Sequence, residues 1–477
     1  MLIEATTLTT QDNIAYASCA ALTQGYRDGD ISPVEVTTEL LTRIGRLNPI
    51  ANAFVYLDPI STLRSASLSE QRWRKRQPIG PLDGVPVSIK DLVAVAGWPL
   101  VRGSQALRGT PPPAEDAPAV ARLRSAGAIL LGKTATPEAG SKIITRSAVH
   151  GVTPNPYDLT RTPGGSSGGA ASALALGMGP LALGTDGAGS IRIPAAWTGV
   201  FGVKPSFGRV PAFPPSIFMP HSVVGPMARD VESARLMLQV ISQPEPRDPY
   251  ALPYPFDHFR AERSVKGLRV GVTPDFGVPS PPIEPAISNA VTSAARYLEG
   301  EGAIVEEVKP AWPCDPYEPF MVFWEATYAG FLQNSYSPSA VALMDPDLQA
   351  IARRGEDIDI VGYHKALMQR LSLAAYSRSL FEKYDVLLGP VTPCGPPDLL
   401  REAPEGFEPG DWRWCPFTYL WNMTAQPAAA VPWTNGPGAM PIAVQLVADV
   451  GAEPDIFRAS RALEIASTAP RRPPALP

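Results

Sequence analysis

In the N-terminal part of the chain, apolar residues recur with the spacing of an α-helix. Residues 32–35 combine a serine N-cap, a proline at the first helical position and a glutamate three residues after the cap, which is typical of a helix start. Apolar residues then follow at helical spacing, namely Val36, Leu40, Leu41 and Ile44. Asn48-Pro49 predicts the end of this helix. We therefore expect N-terminal helices over about residues 12–60.

Short strands and helices alternate in the rest of the chain. Val85, Val87 and Ile89 share one face of a predicted buried strand, and Lys90 lies on its other face. The further predicted elements are helices over 118–126, 229–241 and 285–300, and strands over 128–131, 267–272, 303–308, 384–390 and 442–447. This alternation predicts an α/β fold with one continuous, mainly parallel sheet to which both halves of the chain contribute.

Charge and cysteine usage narrow the classes of function. The chain has 477 residues with 41 Lys and Arg against 46 Asp and Glu, a net charge of −5. This mildly acidic balance argues against nucleic-acid or anionic-membrane partners, which need a basic face. The four cysteines lie far apart without a CxxC pair, so we expect reduced thiols and a cytoplasmic chain without a structural zinc site.

Targeting, membrane and metal signals are also weak. The N-terminal segment has no basic n-region and no apolar stretch, so no signal peptide is predicted. The longest apolar run, residues 170–184, is short and broken by glycines, so we expect no transmembrane segment. None of the four histidines lies in an HExxH motif or near a second ligand at metal-binding spacing. We therefore predict no metal and no cofactor.

The Gly/Ser-rich loop at 164–169 allows three interpretations. It matches the GxSxG elbow of α/β-hydrolases, but the preceding residues 155–163 are predicted to be loop, whereas that elbow follows a strand and needs a partner histidine. A phosphate-binding loop would need GxxxxGK[ST] or GxGxxG, and both are absent. The third interpretation is a serine activated by a buried lysine, whose pKa desolvation lowers towards the working range.

Two further segments fit the third interpretation. Lys90, on the polar face of an apolar strand, is placed for burial, although it could also reach solvent or pair with Asp91. Small residues at 187–189 let consecutive backbone N–H groups point into one space. Such donors could stabilise the oxyanion formed when Ser190 attacks a carbonyl, and the simpler interpretation is a plain glycine turn.

These motifs together resemble the amidase signature family. The resemblance is carried by Lys90, by Gly-Gly-Ser-Ser-Gly-Gly at 164–169 and by Gly-Ser-Ile-Arg-Ile-Pro-Ala at 189–195. It covers about residues 20–240 and returns at 417–447. It implies an α/β fold with a central twisted mixed β-sheet flanked by α-helices on both faces.

The resemblance also implies how the chain is organised. We expect a single domain over residues 1–477. Its predicted parts are N-terminal helices over about 12–60, a signature core over about 75–240, a Pro-rich connector over about 243–258 and a variable substrate-pocket region over about 310–420.

The resemblance implies a Ser-Ser-Lys triad and its supports. Ser190 corresponds to the nucleophile, Ser166 to a bridging serine on a cis peptide bond, and Lys90 to the terminal base. Ser167 corresponds to the second serine, which hydrogen-bonds around the lysine. The implied oxyanion donors are the backbone N–H groups of Gly187, Ala188, Gly189 and Ser190. Asp186 and Arg192 correspond to a pair that braces the loop.

Aromatic residues are concentrated in two stretches, eight within 312–336 and five within 412–421. Core packing is one interpretation, and an apolar pocket lining is the other. The candidate pocket residues are Phe213 and Phe218, taken as exposed on the Pro-rich loop 211–221, with Trp324 and Trp414. A pocket of this kind favours an aryl or apolar amide or anilide, and carbamates share the same acyl-type intermediate.

Two other functions are open at this stage. One is the glutaminase-type subunit of a tRNA-dependent amidotransferase, and the other is an inactive binding protein on the same scaffold. The aromatic excess and the lack of a basic run count against the first, and the intact Lys90–Ser166–Ser190 set counts against the second. The expected partner is a small-molecule amide or carbamate, and a homodimer is left open.

Overall fold

The computed structural model describes residues 11–254, 256 and 264–476. The beginning of the chain, residues 1–10, lies outside this range. The predicted connector over 243–258 falls partly outside it as well, because Pro255, Asp257 and His258 are not among the described residues.

The described strands form one large sheet and one small hairpin. In chain order they are β1 (Phe54–Leu57), β2 (Pro86–Lys90), β3 (Ile129–Thr134), β4 (Arg146–Ser147), β5 (Gly151–Val152), β6 (Leu181–Asp186), β7 (Phe201–Lys204), β8 (Val223–Ala228), β9 (Arg269–Val272), β10 (Ile304–Glu307), β11 (Val386–Pro390), β12 (Ala428–Asn435) and β13 (Pro441–Ala448). Eleven of them make one sheet in the order β1-β3-β2-β6-β8-β7-β12-β13-β11-β9-β10, and β4 pairs with β5. Both halves of the chain therefore contribute to one sheet.

The sheet is mixed, as the resemblance implies, and the prediction of a mainly parallel sheet is wrong. Six of its ten strand pairings are antiparallel. The four parallel pairings lie in two groups, β3-β2-β6 and β10-β9-β11. In both groups helices separate the paired strands along the chain, as parallel crossovers require. The central strands β8, β7, β12 and β13 instead pair antiparallel.

Helices cover both faces of the sheet. In chain order they are α1 (Gln11–Ala15), α2 (Cys19–Asp28), α3 (Pro33–Ala51), α4 (Pro59–Arg74), α5 (Pro118–Ser125), α6 (Gly168–Ala175), α7 (Arg192–Thr198), α8 (Val231–Ile241), α9 (Pro285–Gly300), α10 (Tyr317–Ser335), α11 (Pro338–Val341), α12 (Pro346–Glu356), α13 (Ile360–Phe381), α14 (Tyr419–Met423) and α15 (Glu453–Ala466). One core lies between the sheet and α5, α8, α9 and α15. A second core on the other face includes α6, α7, α10 and α12–α14.

Local capping explains how the N-terminal helices begin and end. Ser32 and Glu35 form a complete capping box at the start of α3, as predicted. The helix continues past the predicted end at Asn48-Pro49 and reaches Ala51, where Asn52 adopts a left-handed φ of 42°. Asn48 Oδ1 accepts the N–H groups of Ala53 and Phe54 at 2.9 and 2.8 Å, so this side chain satisfies the turn after the helix rather than stopping the helix itself.

No described helix combines the length and the apolar character that crossing a membrane requires.

Candidate active site

The candidate site lies where two neighbouring parallel strands end. Lys90 is the last residue of β2, and Thr185 and Asp186 close β6, which pairs parallel with β2. Ser166 and Ser167 immediately precede α6, and Ser190 lies just before α7. The carboxyl ends of parallel strands meet at one edge of the sheet, so these segments converge there. The fold thus brings a lysine, four hydroxyl-bearing residues and a glycine-rich loop into one region.

A cavity of about 170 Å³ opens onto this region, and we call it the Ser190 cavity. Ser166, Thr185, Gly187 and Ser190 all line it. A wider groove of about 690 Å³ elsewhere in the described residues, lined in part by Cys394, contains none of the candidate triad residues. The Ser190 cavity is therefore the candidate active site.

Lys90 is fully buried and surrounded by oxygen atoms of hydroxyl and carbonyl groups. Its Nζ lies 2.7 Å from Ser166 Oγ, 2.9 Å from Ser167 Oγ and 2.9 Å from Thr185 Oγ1. The carbonyl oxygen of Thr185 is 3.4 Å away. Among the described residues, Lys90 forms no ion pair with a carboxylate within 4 Å, so nothing nearby compensates a charge on this amine.

Burial therefore lowers the pKa of Lys90 well below its ordinary value of 10.5, and the more distant Asp186 carboxylate opposes this only in part. A neutral amine donates two hydrogen bonds and accepts one. Its lone pair can then take the proton of a neighbouring hydroxyl. The buried interpretation of Lys90 is correct, and the alternatives of a solvent-exposed lysine or a pair with Asp91 are wrong, because Asp91 pairs with Lys133 instead.

Ser167 holds the lysine in place. Its hydroxyl accepts from Lys90 Nζ and donates to the Thr185 carbonyl oxygen at 3.2 Å. Because that proton is engaged with a carbonyl, Ser166 is left as the serine whose proton can move to Lys90. The arrangement agrees with the supporting position that the resemblance implies for Ser167.

Ser166 and Ser190 lie on two loops that are joined directly. The Gly165–Ser166 peptide bond is cis, as the resemblance implies. The backbone N–H of Ser167 donates to the Ser190 carbonyl oxygen at 3.1 Å, which fixes the two loops relative to each other. Between these two described serines no hydroxyl–hydroxyl hydrogen bond is formed, and catalytic hydrogen bonds commonly tighten only when a substrate is bound.

The glycine-rich loop leaves unpaired three of the four backbone N–H groups predicted as oxyanion donors. The Gly189 N–H donates to Asp186 Oδ1 at 2.7 Å, so its assignment as an oxyanion donor is wrong. Asp186 accepts this bond because the loop turns tightly, with Gly189 at a φ of 123°. The N–H groups of Gly187, Ala188 and Ser190 form no hydrogen bond with the described residues. Their availability as oxyanion donors stays a prediction.

The ion pair of Asp186 and Arg192 holds the glycine-rich loop before α7 in place. Both side chains are fully buried, and Arg192 binds Asp186 through two hydrogen bonds of 3.0 and 2.9 Å. Burial by itself raises the pKa of the Asp186 carboxyl, but the Arg192 guanidinium outweighs this and holds that pKa well below its ordinary value. The pair is charged, and it fixes the loop that carries Ser190.

Sequence reasoning missed three residues that complete this pair. Arg192 also donates to the Thr418 carbonyl oxygen at 3.0 Å, to Gln445 Oε1 at 2.9 Å and to Asn422 Oδ1 at 2.6 Å. Gln445 is a buried polar residue on the apolar strand β13, which is the same signal that singled out Lys90. Thr418 and Asn422 carry no such signal.

Three of the four predicted pocket residues line the Ser190 cavity, and one does not. Phe213, Phe218 and Trp324 belong to its wall. Phe218 is buried rather than exposed, because Trp324 packs edge-on against it at 5.1 Å. Trp414 is absent from the wall and stacks on Trp197 at 6.2 Å, so its prediction as a pocket residue is wrong.

The aromatic stretches divide between wall and core. Trp324, Tyr328 and Phe331 line the cavity, whereas Phe320 stacks on Tyr419 at 4.3 Å within the core. Trp324 and Tyr328 also belong to that core, so core packing and cavity lining apply together to these two rings.

The hydrolase-elbow interpretation does not hold. No regular strand precedes Ser166 among the described residues 153–165, and Ser166 is bound by Lys90 instead of a histidine. His221 is buried between Phe218 and Phe323, and both of its ring nitrogens lack a partner within the described part of the chain. Burial lowers the pKa of His221 to about 3.

Within the described ranges, no three His, Cys, Asp or Glu side chains come together in a group that could hold a metal ion.

Comparison with known proteins agrees with this geometry. A family model described as Amidase matches residues 35–457 of the chain. An acylamidase from Rhodococcus erythropolis is 32% identical over 453 residues, which covers 92% of this chain and 93% of that protein. A glutamyl-tRNA(Gln) amidotransferase subunit from Rhodopirellula baltica is 33% identical over 483 residues, which covers 94% of this chain and 96% of that protein.

Solved structures resemble the whole fold. A bacterial aryl acylamidase of the amidase signature family superposes with a TM-score of 0.88 at 30% identity, covering 95% of this chain and 96% of that one. A 6-aminohexanoate cyclic dimer hydrolase gives a TM-score of 0.87 at 26% identity, covering 96% and 99%. From these matches, the chain belongs to the amidase signature family and is an amidohydrolase that acts on C–N bonds.

Proposed function

We propose that this chain hydrolyses aryl or other apolar carboxylic amides through an acyl-enzyme on Ser190. One observation carries the proposal: a buried lysine without a carboxylate partner contacts Ser166 at 2.7 Å in the wall of the cavity that also contains Ser190. A charged lysine in that position would be costly, and a neutral one is a base. Lys90, Ser166 and Ser190 then act as one proton relay.

The first half of the reaction forms the acyl-enzyme. Ser190 Oγ attacks the amide carbonyl carbon while its proton passes to Ser166 Oγ, and the Ser166 proton passes to the neutral Lys90 amine. The carbonyl oxygen becomes an oxyanion that the N–H groups of Gly187, Ala188 and Ser190 stabilise. Each such donor is worth roughly 3–4 kcal/mol in enzymes where one has been removed.

The second half releases the products. The intermediate collapses, the C–N bond breaks, and the leaving nitrogen takes a proton from Ser166, which Lys90 replenishes. Water then attacks the Ser190 ester and gives its proton back through Ser166 to Lys90. The carboxylic acid leaves, and Ser190 recovers its proton. An amine leaves poorly until it is protonated, so the relay is used in both directions.

Apolar walls support the choice of an aryl or apolar amide. Phe213, Phe218, Trp324 and Phe331 line the Ser190 cavity together with Pro211 and Ile217. Contact with such rings stabilises an aromatic or aliphatic group and offers little to a small polar amide such as acetamide. The similarity to an acylamidase and to an aryl acylamidase points in the same direction.

A second candidate is a glutaminase-type amidotransferase subunit. The specific observation in its favour is the 33% identity to a glutamyl-tRNA(Gln) amidotransferase subunit over 94% of this chain. Glutamine is small and zwitterionic, so it would leave most of the apolar wall of the Ser190 cavity unused. We therefore place this candidate second.

A substrate panel tests the proposal with the purified chain alone. The panel contains an acyl anilide, an aliphatic apolar amide, a phenyl carbamate, acetamide and glutamine, and Ser190→Ala serves as the inactive control. We expect the anilide to have a kcat/KM at least about tenfold above that of acetamide, from burial of one aromatic ring. Glutamine as the best substrate, or turnover only in the presence of co-purifying proteins, would favour the amidotransferase candidate.

A further inference from the structure

We propose that Arg102 binds a carboxylate of the substrate, so that the preferred substrates are amides carrying a carboxylate at a distance from the scissile bond. This inference rests on the proposed amidase function and concerns its substrate class. Arg102 lies on the loop after β2 and lines the Ser190 cavity together with Ser166 and Ser190. It is the one charged residue in the described wall of that cavity.

The backbone of Arg102 is fixed in place. Its N–H donates to Asp91 Oδ2 at 2.8 Å, and its carbonyl oxygen accepts from the Ala139 N–H at 2.9 Å. It adopts a left-handed φ of 54°, which a residue with a side chain rarely takes without support from its surroundings. The next residue, Gly103, packs so closely that a Cβ there would lie 2.8 Å from the Thr136 carbonyl oxygen. The loop thus fixes the position of the Arg102 Cα atom, from which the side chain extends.

The guanidinium group of Arg102 is unpaired within the part of the chain that the structure describes. Across the described residues, its five N–H donors make no hydrogen bond and no ion pair, and the side chain is only partly exposed. Two carboxylates of neighbouring segments, Asp91 and Glu138, do not form an ion pair with it within 4 Å. Asp91 binds Lys133 and the Arg102 backbone. Glu138 Oε2 accepts the Asp345 N–H at 2.5 Å, and Glu138 Oε1 is buried without a hydrogen-bond partner among the described residues. A cation that meets no protein acceptor at the wall of a substrate cavity is available to the substrate.

The chemistry of the wall selects a carboxylate as that partner. The described wall of the Ser190 cavity contains no carboxylate, and it includes apolar residues such as Leu92, Ala139 and Phe331. Arg102 also lines a separate small cavity of about 10 Å³ together with Glu138 and Tyr336. A guanidinium fork matches the two oxygens of a carboxylate in a bidentate pair. The cavity therefore suits a molecule with an apolar body, a scissile amide near Ser190 and a carboxylate near Arg102.

Matched substrate pairs test this assignment. On the amine side, an acyl 4-carboxyanilide is compared with the neutral acyl 4-acetylanilide. On the acyl side, the anilide of glutaric acid is compared with the anilide of 5-oxohexanoic acid. We expect the wild type to prefer the carboxylate member of at least one pair about tenfold in kcat/KM, and Arg102→Gln to abolish that preference.

Two variants and a binding measurement make the result decisive. Arg108→Gln removes an exposed arginine of the same loop that does not line the cavity, and it should keep the preference. Arg102→Lys keeps the charge but loses the fork, so it should retain only part of the preference. In Ser190→Ala, calorimetric dissociation constants for the same pairs measure binding without turnover, and they should show the same dependence on Arg102.

The outcomes separate the two proposals. Hydrolysis of the neutral anilides with no preference for a carboxylate in either pair, or a preference that Arg102→Gln retains, would overturn the role of Arg102 and leave the amidase proposal standing. Carboxylate-selective binding that depends on Arg102, found without any hydrolysis by the wild type, would support Arg102 and contradict the proposed reaction.

Discussion

Two buried lysines in this molecule have opposite surroundings. Lys90 contacts three hydroxyl groups and a carbonyl, without a carboxylate partner among the described residues. Lys142 lies between three carboxylates, with Nζ at 2.9 Å from Asp345, 2.5 Å from Asp347 and 2.6 Å from Glu402. Both amino groups are buried, so the two lysines differ only in the groups that contact them.

The pKa values of the two amines follow from those partners. Burial lowers the pKa of Lys90 well below its ordinary value. Burial acts in the same direction on Lys142, but the carboxylates of Glu402, Asp347 and Asp345 outweigh it and raise the pKa of Lys142. Lys142 is thus a permanent charge that ties its loop to Asp345, Asp347 and Glu402. The role that we propose for Lys90 is instead that of a base. Burial alone therefore does not determine whether a lysine side chain is charged or neutral.

The largest effect is expected when the base is removed. Lys90→Met keeps an unbranched apolar side chain in the site but cannot take a proton, so kcat/KM should fall by about 10⁴-fold, the upper range for a general base. Lys90→Arg should be equally inactive because a guanidinium stays charged. Anilide hydrolysis measures the loss, and a wild-type-like circular dichroism spectrum shows that the fold is retained. Activity within tenfold of the wild type would contradict the role of Lys90.

Removing the other lysine should affect stability instead of chemistry. Lys142→Met leaves Asp345 without an ion-pair partner among the described residues, and it leaves Asp347 and Glu402 with Arg146 alone, at 3.8 and 3.0 Å. We expect a loss of about 3 kcal/mol in the free energy of unfolding, at the lower end for a buried pair because Arg146 remains and Asp347 is partly exposed. Urea unfolding measures this loss. The double variant with Glu402→Gln should recover part of it, while kcat of the folded protein stays close to that of the wild type. A Lys142→Met protein that is as stable as the wild type would contradict the structural role of Lys142.

The pH dependence should distinguish the two lysines. Lys90 must be neutral to act, so log kcat/KM should rise by about one per pH unit and level off well below pH 10.5. The lowered pKa of Lys90 in the folded state also reduces the free energy of unfolding. This reduction is absent above the pKa of the unfolded state, near 10.5, and it grows as the pH falls towards the pKa of the folded state. The raised pKa of Lys142 gives a contribution that is complete below 10.5 and is lost as the pH rises through the folded value.

Variant subtraction checks these signs. The difference in unfolding free energy between wild type and Lys90→Met should rise with pH, and the difference between wild type and Lys142→Met should fall at high pH. A kcat/KM limb that levels off only above pH 10.5 would mean that Lys90 keeps its charge.

The smallest effect concerns the apolar wall. Phe213 is half-buried at the Ser190 cavity, and Phe213→Ala should raise KM for an anilide about fivefold while changing KM for acetamide little. Phe207→Ala is the matched control, because Phe207 is also half-buried but packs against Tyr250 at 5.5 Å, outside the cavity wall. Equal changes of KM for both substrates would remove Phe213 from substrate binding.

The sequence predicts most residues of the candidate site because the signals that identify them are local. Lys90 stands out as one charge on an apolar strand, and the glycine-rich loops predict tight turns wherever they occur. The loss of Gly189 as an oxyanion donor is also local, since an aspartate three residues earlier commonly accepts the N–H of such a turn.

What the sequence does not predict depends on distant contacts. Arg192 reaches Asn422, 230 residues away, and nothing in the local pattern identifies that partner. Trp324 and Trp414 are both apolar rings in aromatic-rich stretches, yet one lines the cavity and the other stacks on Trp197. The antiparallel pairings of β7, β8, β12 and β13 likewise arise from chain reversals and long-range returns that hydrophobic alternation does not encode.

The most direct test of the central claim is covalent trapping. The chain is reacted with a fluorophosphonate, and the labelled peptide is identified by mass spectrometry in the wild type and in Lys90→Met. We expect the label on Ser190 in the wild type, and we expect labelling to be at least about a hundredfold slower in the variant, because attack by Ser190 needs the base. A label on Ser166, or equally fast labelling of Ser190 without Lys90, would contradict it.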